Sequence, residues 1–162
     1  MKRCGVVLAA PTRALLAAMA VLLSPLAHAL GIACSVTATN VSFGAYNPLS
    51  VTGLTSTGSV TATCLNVLPT PITIALSTGS SGSYAARRLQ SGANTLTYNL
   101  YLNAAETQIW GDGTGGSVIA NATITPIIGT GSVTVTAYGL MPAAQDVSPG
   151  AYADTITVTV SY

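Results

Sequence analysis

The sequence predicts an all-β protein, an antiparallel β-sandwich in a single domain. Three observations lead there. From Leu30 to Tyr162 no stretch keeps the i, i+3, i+4 apolar spacing of an amphipathic helix over three turns, whereas period-two alternation recurs. The same region is rich in Thr, Val and Ser, and Thr and Val fit a pleated, half-buried surface. Turn residues lie between the alternating runs at regular intervals, and the length of 162 residues is one domain's worth.

The first strand is expected over Ile32 to Val41. Val60 to Cys64, Ile72 to Leu76, Leu96 to Leu102, Ser117 to Thr125 and Ser132 to Tyr138 follow as alternating runs. The C-terminus alternates most clearly. Ile156, Val158, Val160 and Tyr162 fall on one face; Thr155, Thr157, Thr159 and Ser161 fall on the other. Turns are expected at Asn47-Pro48, Thr57-Gly58, Leu68 to Pro71, Gly79 to Gly82, Ser91-Gly92, Gly111 to Gly116, Gly129 to Gly131 and Ser148 to Gly150. Seven or eight strands with such punctuation make a sandwich, with no linker and no second domain.

Residues 1–29 read as a cleaved signal peptide and residues 30–162 as the mature domain. Lys2, Arg3 and Arg13 lead into the apolar run Ala14 to Leu23, Ser24-Pro25 breaks it, and Ala27-His28-Ala29 supplies the cleavage pattern. That run is far shorter than the roughly 20 residues of a membrane-spanning helix. Cys4 leaves with the signal. The remaining pair, Cys34 and Cys64, reads as one disulfide in an exported chain, the alternative being two free buried thiols. A bond closing a loop of this length stabilises by roughly 3–4 kcal/mol in the chain-entropy account.

Charge narrows the function. Only 6% of residues are charged, against about 25% in an average soluble domain. After Ala29 the chain has Arg87 and Arg88 against Glu106, Asp112, Asp146 and Asp154, with no lysine and no histidine. A nucleic-acid partner is excluded, because phosphate contacts come mainly from Lys and Arg. Histidine-based catalysis and histidine metal ligation are excluded as well.

The remaining motifs carry little chemistry. Gly111, Gly113 and Gly116 match G-x-G-x-x-G, but a strand and not a helix is expected after them, so they read as a glycine-rich hairpin loop. The acids lie in or beside turns and read as solvated turn acids rather than a catalytic pair. There is no G-x-S-x-G elbow. Arg87-Arg88 reads as a solvated edge or loop; the sharper alternatives are a salt bridge or an anchor for another chain's terminal carboxylate. Asn40-Val41-Ser42 and Asn121-Ala122-Thr123 match the glycosylation sequon and say little alone. The sequence thus assigns no catalytic, metal or cofactor-binding residues, and the chain reads as a non-enzyme.

Several stretches, in order, resemble the spore coat protein U domain family, which includes subunits of archaic (Csu-type) chaperone–usher pili. Cys34 opens the domain. Phe43-Gly44-Ala45-Tyr46 resembles the family's F-G-x-Y, and Gly58 to Cys64 its G-x-[IV]-x-V-x-C strand. Arg87-Arg88-Leu89 and Leu96 to Tyr101 are similar to R-x-[ML] and L-x-Y-x-[LV]-Y. Trp110-Gly111-Asp112-Gly113 looks like W-G-D-G, Tyr138-Gly139 follows, and Gly150 to Thr155 resembles G-x-Y-x-D-T. The resemblance runs from Cys34 to Tyr162. It implies an incomplete immunoglobulin-like sandwich lacking its last strand. The groove is held first by a periplasmic chaperone and then filled by a strand from the next subunit, delivered at an outer-membrane usher. The implied protein is a structural pilus, fimbria or coat subunit. It is exported through the periplasm to the cell surface, with other subunits as partners and no membrane span. The acceptor strand would be the one carrying Ile156, Val158, Val160 and Tyr162, which has no successor to cover it.

The segment ahead of Cys34 sets the place in an assembly. Cleavage after Ala29 leaves Leu30 to Ala33, which reach about 13 Å, against about 33 Å for a ten-residue donor strand. Cleavage after Ala20, at Ala18-Met19-Ala20, leaves Val21 to Ala33 with Leu22, Leu26, Leu30 and Ile32 on one face. The first product accepts a strand without giving one; the second does both. Two rival readings remain open. One is a stand-alone surface adhesin or sugar-binding module. The other is a small outer-membrane β-barrel, which also ends in an alternating strand with an aromatic last residue.

Overall fold

The computed structural model describes residues 33–65 and 68–162, and these contain eight strands. They are β1 (Ala33–Thr39), β2 (Leu54–Leu65), β3 (Thr70–Leu76), β4 (Arg87–Ser91), β5 (Asn94–Tyr101), β6 (Ala120–Ile124), β7 (Thr130–Met141) and β8 (Val158–Ser161). One 3-10 turn, Gly79–Ser81, lies between β3 and β4. The strands form two open sheets, ordered β1-β2-β7-β5-β4 and β6-β3-β8. Every ladder is antiparallel. This is an all-β, antiparallel arrangement consistent with an incomplete immunoglobulin-like sandwich. It is not the closed cylinder that a membrane barrel requires. The expected signal peptide lies outside the described residues.

β2 and β7 are the spine. Each has twelve residues, paired from Leu54↔Met141 at one end to Leu65↔Thr130 at the other. Alternate residues of β2 (Gly58, Val60, Ala62, Cys64) are buried while Ser59, Thr61 and Thr63 are half-exposed, the pattern of a strand with one wet face. β3 alternates in the same way, burying Ile72, Ile74 and Leu76. The core sits between these faces, around fully buried Trp110, Ile74, Leu96, Ile124 and Met141. At about 25 cal/mol per Å² of apolar area removed from water, each such side chain contributes roughly 1.5–3 kcal/mol before entropy is counted. Cys34 and Cys64 are directly opposed across β1 and β2 and form the disulfide.

After Thr39 the chain leaves the edge of the first sheet and crosses over β2 and β7. The crossing needs two glycines. A Cβ on Gly58 would stand 2.6 Å from Thr39 O, and one on Gly139 2.6 Å from Val41 Cγ1 and 2.8 Å from Phe43 Cζ. Phe43 then meets Tyr98 edge to face at 6.0 Å. Tyr46 closes the crossing: its hydroxyl donates to Pro142 O and accepts from Gln145 N. β5 pairs with β7 only over Asn99–Tyr101. Where the two strands part, the Gln145 side-chain amide substitutes for a backbone. It accepts from Thr97 N at 2.7 Å and donates to Thr97 O at 2.9 Å.

Several boundaries differ from expectation. Thr57-Gly58 lies inside β2 and not in a turn, because Gly58 serves the crossing. Thr70-Pro71 belongs to β3, and Thr130-Gly131 to β7. The run Ser117 to Thr125 is a strand only over Ala120–Ile124. Ahead of it, Trp110 and Val118 form a parallel bridge, so the glycine-rich stretch is not a simple hairpin loop. Of the C-terminal run, only Val158–Ser161 forms ladder pairs, with β3. Just before it, Ser77 supplies its side-chain oxygen to Thr157 N, although its own N–H still reaches Thr157 O.

Candidate functional site

The sheets enclose the core incompletely. β8 pairs with β3 along one edge, β1 pairs with β2 along one edge, and neither has a strand on its other edge among the described residues. Beside these edges a cleft of about 710 Å³ opens between the sheets. Its floor is the core itself: Val60, Leu76, Leu96, Tyr98, Leu100 and Met141. One wall is the crossing segment, with Val41, Phe43 and Tyr46. The other is the stretch leading into β8, with Val147, Tyr152, Ile156 and Val158. Apolar side chains and backbone polar groups left without ladder partners are the ingredients of strand addition.

The expected acceptor residues are placed unevenly. Ile156, Val158 and Val160 are half-buried and pack on the core, while Thr155, Thr157 and Thr159 face outward, as the alternation predicts. Ile156 and Val158 line the cleft; Val160 does not. Tyr162 lies beyond the end of β8 and is exposed, so it does not share the inward face. Val41, Phe43, Val147 and Tyr152 also line the cleft, and hydrophobic alternation alone does not find them. Phe43 and Tyr152 did stand in the motifs that carried the family resemblance.

Three of those motifs meet in one buried cluster, through Arg87, Asn99 and Trp110. Arg87 is fully buried, contrary to the expectation of a solvated edge. Its guanidinium donates from Nε and Nη2 to Ser77 O at 3.1 and 2.8 Å, from Nη1 to Asn99 Oδ1 at 2.8 Å, and from Nη2 to Trp110 O at 2.7 Å. These acceptors are carbonyl oxygens, and the cation also lies 5.2 Å from the centre of the Tyr84 ring. It is thus neither a salt bridge nor an anchor for a terminal carboxylate. Burial pulls the guanidinium below its ordinary pKa, and nearby tyrosines and Asp154 oppose that. Asn99 Nδ2 donates to Tyr84 O, Tyr84 donates to Leu76 O, and Trp110 Nε1 donates to Ile74 O. Every polar group of the cluster named here therefore has a partner, as burial demands.

Asp154 is likewise more than a solvated turn acid. It is half-buried and accepts from Ser80 N at 2.9 Å and from the Tyr98 hydroxyl at 2.8 Å. Beside it, Gln90 and Ala153 exchange two backbone bonds, so the stretch before β8 is tied to the outer edge of β4. Burial first, and then the bond to Asp154, push the Tyr98 phenol well above its ordinary pKa. Asp112 does match the solvated reading: it is exposed in the glycine loop, and bonds from Thr114 hold its carboxyl below the usual range. The described residues hold no group of three or more His, Cys, Asp or Glu placed for a metal. None of their helices is long and apolar enough to cross a membrane.

Two open antiparallel sheets, an apolar cleft beside the unpaired edges of β1 and β8, and a disulfide between the first two strands define an incomplete immunoglobulin-like β-sandwich. A family model described as the Spore Coat Protein U domain matches residues 18–159, and the chain belongs to that family. Protein U of Myxococcus xanthus is 30% identical over 149 residues, covering 82% of this chain and 79% of the relative. Among solved structures, the chain is similar to one titled as the CsuC-CsuE chaperone-tip adhesion subunit pre-assembly complex, from archaic chaperone-usher Csu pili of Acinetobacter baumannii. That match has a TM-score of 0.56 and 23% identity over 81% of this chain. The chain spans 40% of that structure's chain.

Proposed function

We propose that this chain is an exported structural subunit of a surface filament or coat, assembled by donor-strand complementation and without catalytic activity. A periplasmic chaperone holds the cleft first, a strand from the next subunit replaces it, and an outer-membrane usher is the place of exchange. The observation that carries this reading is the cleft: an apolar floor open to solvent, flanked by the free edges of β1 and β8. An added strand would bond its backbone to those edges and set alternate side chains on Val60, Leu76 and Leu100. Family membership supports the structural role, and the Csu complex contains a chaperone bound to a subunit of similar fold.

The test uses exported protein with a peptide of Val21 to Ala33 as probe. Alone, the protein should be digested by proteinase K or self-associate; with the peptide it should become resistant. A partner-free monomer that is already resistant, and that the peptide does not change, would overturn the reading. N-terminal sequencing of the same material assigns the donor role. A start at Leu30 leaves an acceptor at a filament end, and a start at Val21 leaves a subunit that both gives and accepts.

A further inference from the structure

We infer that the outer face of the first sheet binds the surface of an uncharged polysaccharide. The positions of β1, β2 and β7 that point away from the core include 35, 37 and 39, then 59, 61 and 63, then 132, 134 and 136. Every one of them is Ser or Thr. The strand register sets them in three rows, the middle row being Thr37, Thr61 and Thr134. Hydroxyl-bearing side chains thus repeat about 4.8 Å apart across the strands and about 6.7 Å apart along them. Thr suits a strand in any case. The face is unusual in what it lacks: β1, β2 and β7 contain no charged residue, whereas charged residues are about a quarter of an average domain and mostly lie on its surface.

The hydroxyls are also held in place. Thr61 Oγ1 and Thr134 Oγ1 share a hydrogen bond at 2.8 Å, Thr39 Oγ1 and Ser59 Oγ share one at 2.9 Å, and Ser35 Oγ donates to Thr63 O at 3.4 Å. A hydroxyl that donates to its neighbour becomes a better acceptor, and the neighbour keeps a hydrogen to give. Each pair therefore presents one donor and free lone pairs at fixed positions, which lowers the ordering cost of binding.

Chemistry selects the partner. A nucleic acid or an anionic membrane calls for Lys or Arg, and these strands have none. The core of a protein–protein contact is poor in Ser. A face of hydroxyls is complementary to another surface of hydroxyls, because each group donates and accepts, and no ion on this side has to be desolvated. Along the same face, Tyr138 opposes both Thr57 and Tyr101, and the two tyrosines are half-exposed. Tyrosine offers apolar ring area with a polar tip, which suits the mixed surface of a sugar ring. The array is an extended strand face, so it fits chains laid side by side rather than a single sugar. It lies on the side of the sheet away from the core, and only its end, at Thr39 and Ser59, borders the cleft. The inference therefore stands apart from strand acceptance.

Exported protein mixed with microcrystalline cellulose, with acetylated chitin and with curdlan tests this, by the protein lost from the supernatant. The parent chain should bind at least one of these solids. Thr61→Val with Thr134→Val keeps shape and strand preference while removing the central hydroxyl pair. Thr134→Lys puts a charge at an exposed position in the middle of the face. Each variant should bind the same solid at least tenfold more weakly with an unchanged urea midpoint, and Tyr138→Ser should bind more weakly than the parent. If the double Val variant proves unstable, Thr134→Lys decides. A parent chain that stays in solution with all three solids overturns polysaccharide binding, and so does parental binding by Thr134→Lys. Self-association of the parent that Thr134→Lys abolishes in the absence of any solid overturns it too, since the face is then a contact between copies. Failure of the Val21–Ala33 peptide to bind the parent sinks the cleft reading alone.

Discussion

Tyr98 donates its hydroxyl hydrogen to Asp154 Oδ2 across 2.8 Å, joining β5 to the stretch that leads into β8. One carboxylate thereby fixes the wall of the cleft against its floor. Tyr98→Phe should keep the ring on Phe43 and lose this bond. A hydrogen bond to a charged group is worth roughly 1.5–3 kcal/mol, so urea denaturation should show a loss of about that size.

Alkaline pH should unfold the wild-type chain through the same group. The Tyr98 phenol is raised by burial and by Asp154, and Tyr84 and Tyr101 are raised by burial first as well. A raised folded-state pKa contributes stability that is fully present below the unfolded value of about 10 and is lost as pH rises above it. Stability measured from pH 8 to 12 should be flat at first and then fall, with a shallower fall in Tyr98→Phe.

Val158→Asp puts a carboxylate on the half-buried inward face of β8. A charge facing apolar partners is costly to desolvate. The variant should bind the Val21–Ala33 peptide at least tenfold more weakly, by fluorescence anisotropy, while Thr159→Asp on the exposed face should bind as the parent does.

Arg87→Leu should be among the most damaging single changes. It leaves Ser77 O and Trp110 O without this donor in a dry site, at about 1–3 kcal/mol for each unsatisfied group, while Asn99 Oδ1 keeps the Leu100 N–H. Arg87→Lys keeps the charge but not the planar fork, and should fall between the two. Chemical denaturation of the disulfide-bonded forms ranks all three.

Gly139→Ala inserts a methyl group where Val41 and Phe43 cross β7. Overpacking of this kind costs roughly 1–3 kcal/mol. It should also shift the crossing segment and weaken peptide binding, whereas Gly92→Ala, with nothing within 4 Å, should leave binding unchanged.

Reduction of Cys34–Cys64 should lower stability by roughly 3–4 kcal/mol, since the bond closes a loop between residues 30 apart. Denaturation with and without reductant, with intact mass to confirm the thiol count, measures it.

What local pattern dictates was readable in the sequence. The inward face of the C-terminal run depends only on period two, and it holds for Ile156, Val158 and Val160. The cysteine pair needed only its count and an exported context. Arg87 and Asp154 were misread because their environments are made by residues far away in the chain. The acceptors of Arg87 include Asn99 and Trp110, twelve and 23 residues on, and Ser80 N is 74 residues from Asp154. A charged residue looks the same locally whether the chain folds over it or not. Gly58 was read as a turn for a similar reason: its role is to let Thr39 and Val41 pass, which no window around position 58 contains. The motifs of the family resemblance pointed to these positions without giving the reason for them.

The scarcity of basic residues makes the fold its own reporter. Beyond Arg13, trypsin has only Arg87 and Arg88 to cut at, and both lie in β4 paired with Tyr98 and Thr97. Arg87 is sealed in the core, and the bond after Arg88 can enter a protease only if β4 peels from β5. A single cut there separates β1 to β3 from β5 to β8, and the disulfide, lying wholly on one side, does not hold the halves together. The rate of that one cleavage is therefore a clock for the opening of a single strand, readable on a gel without any label.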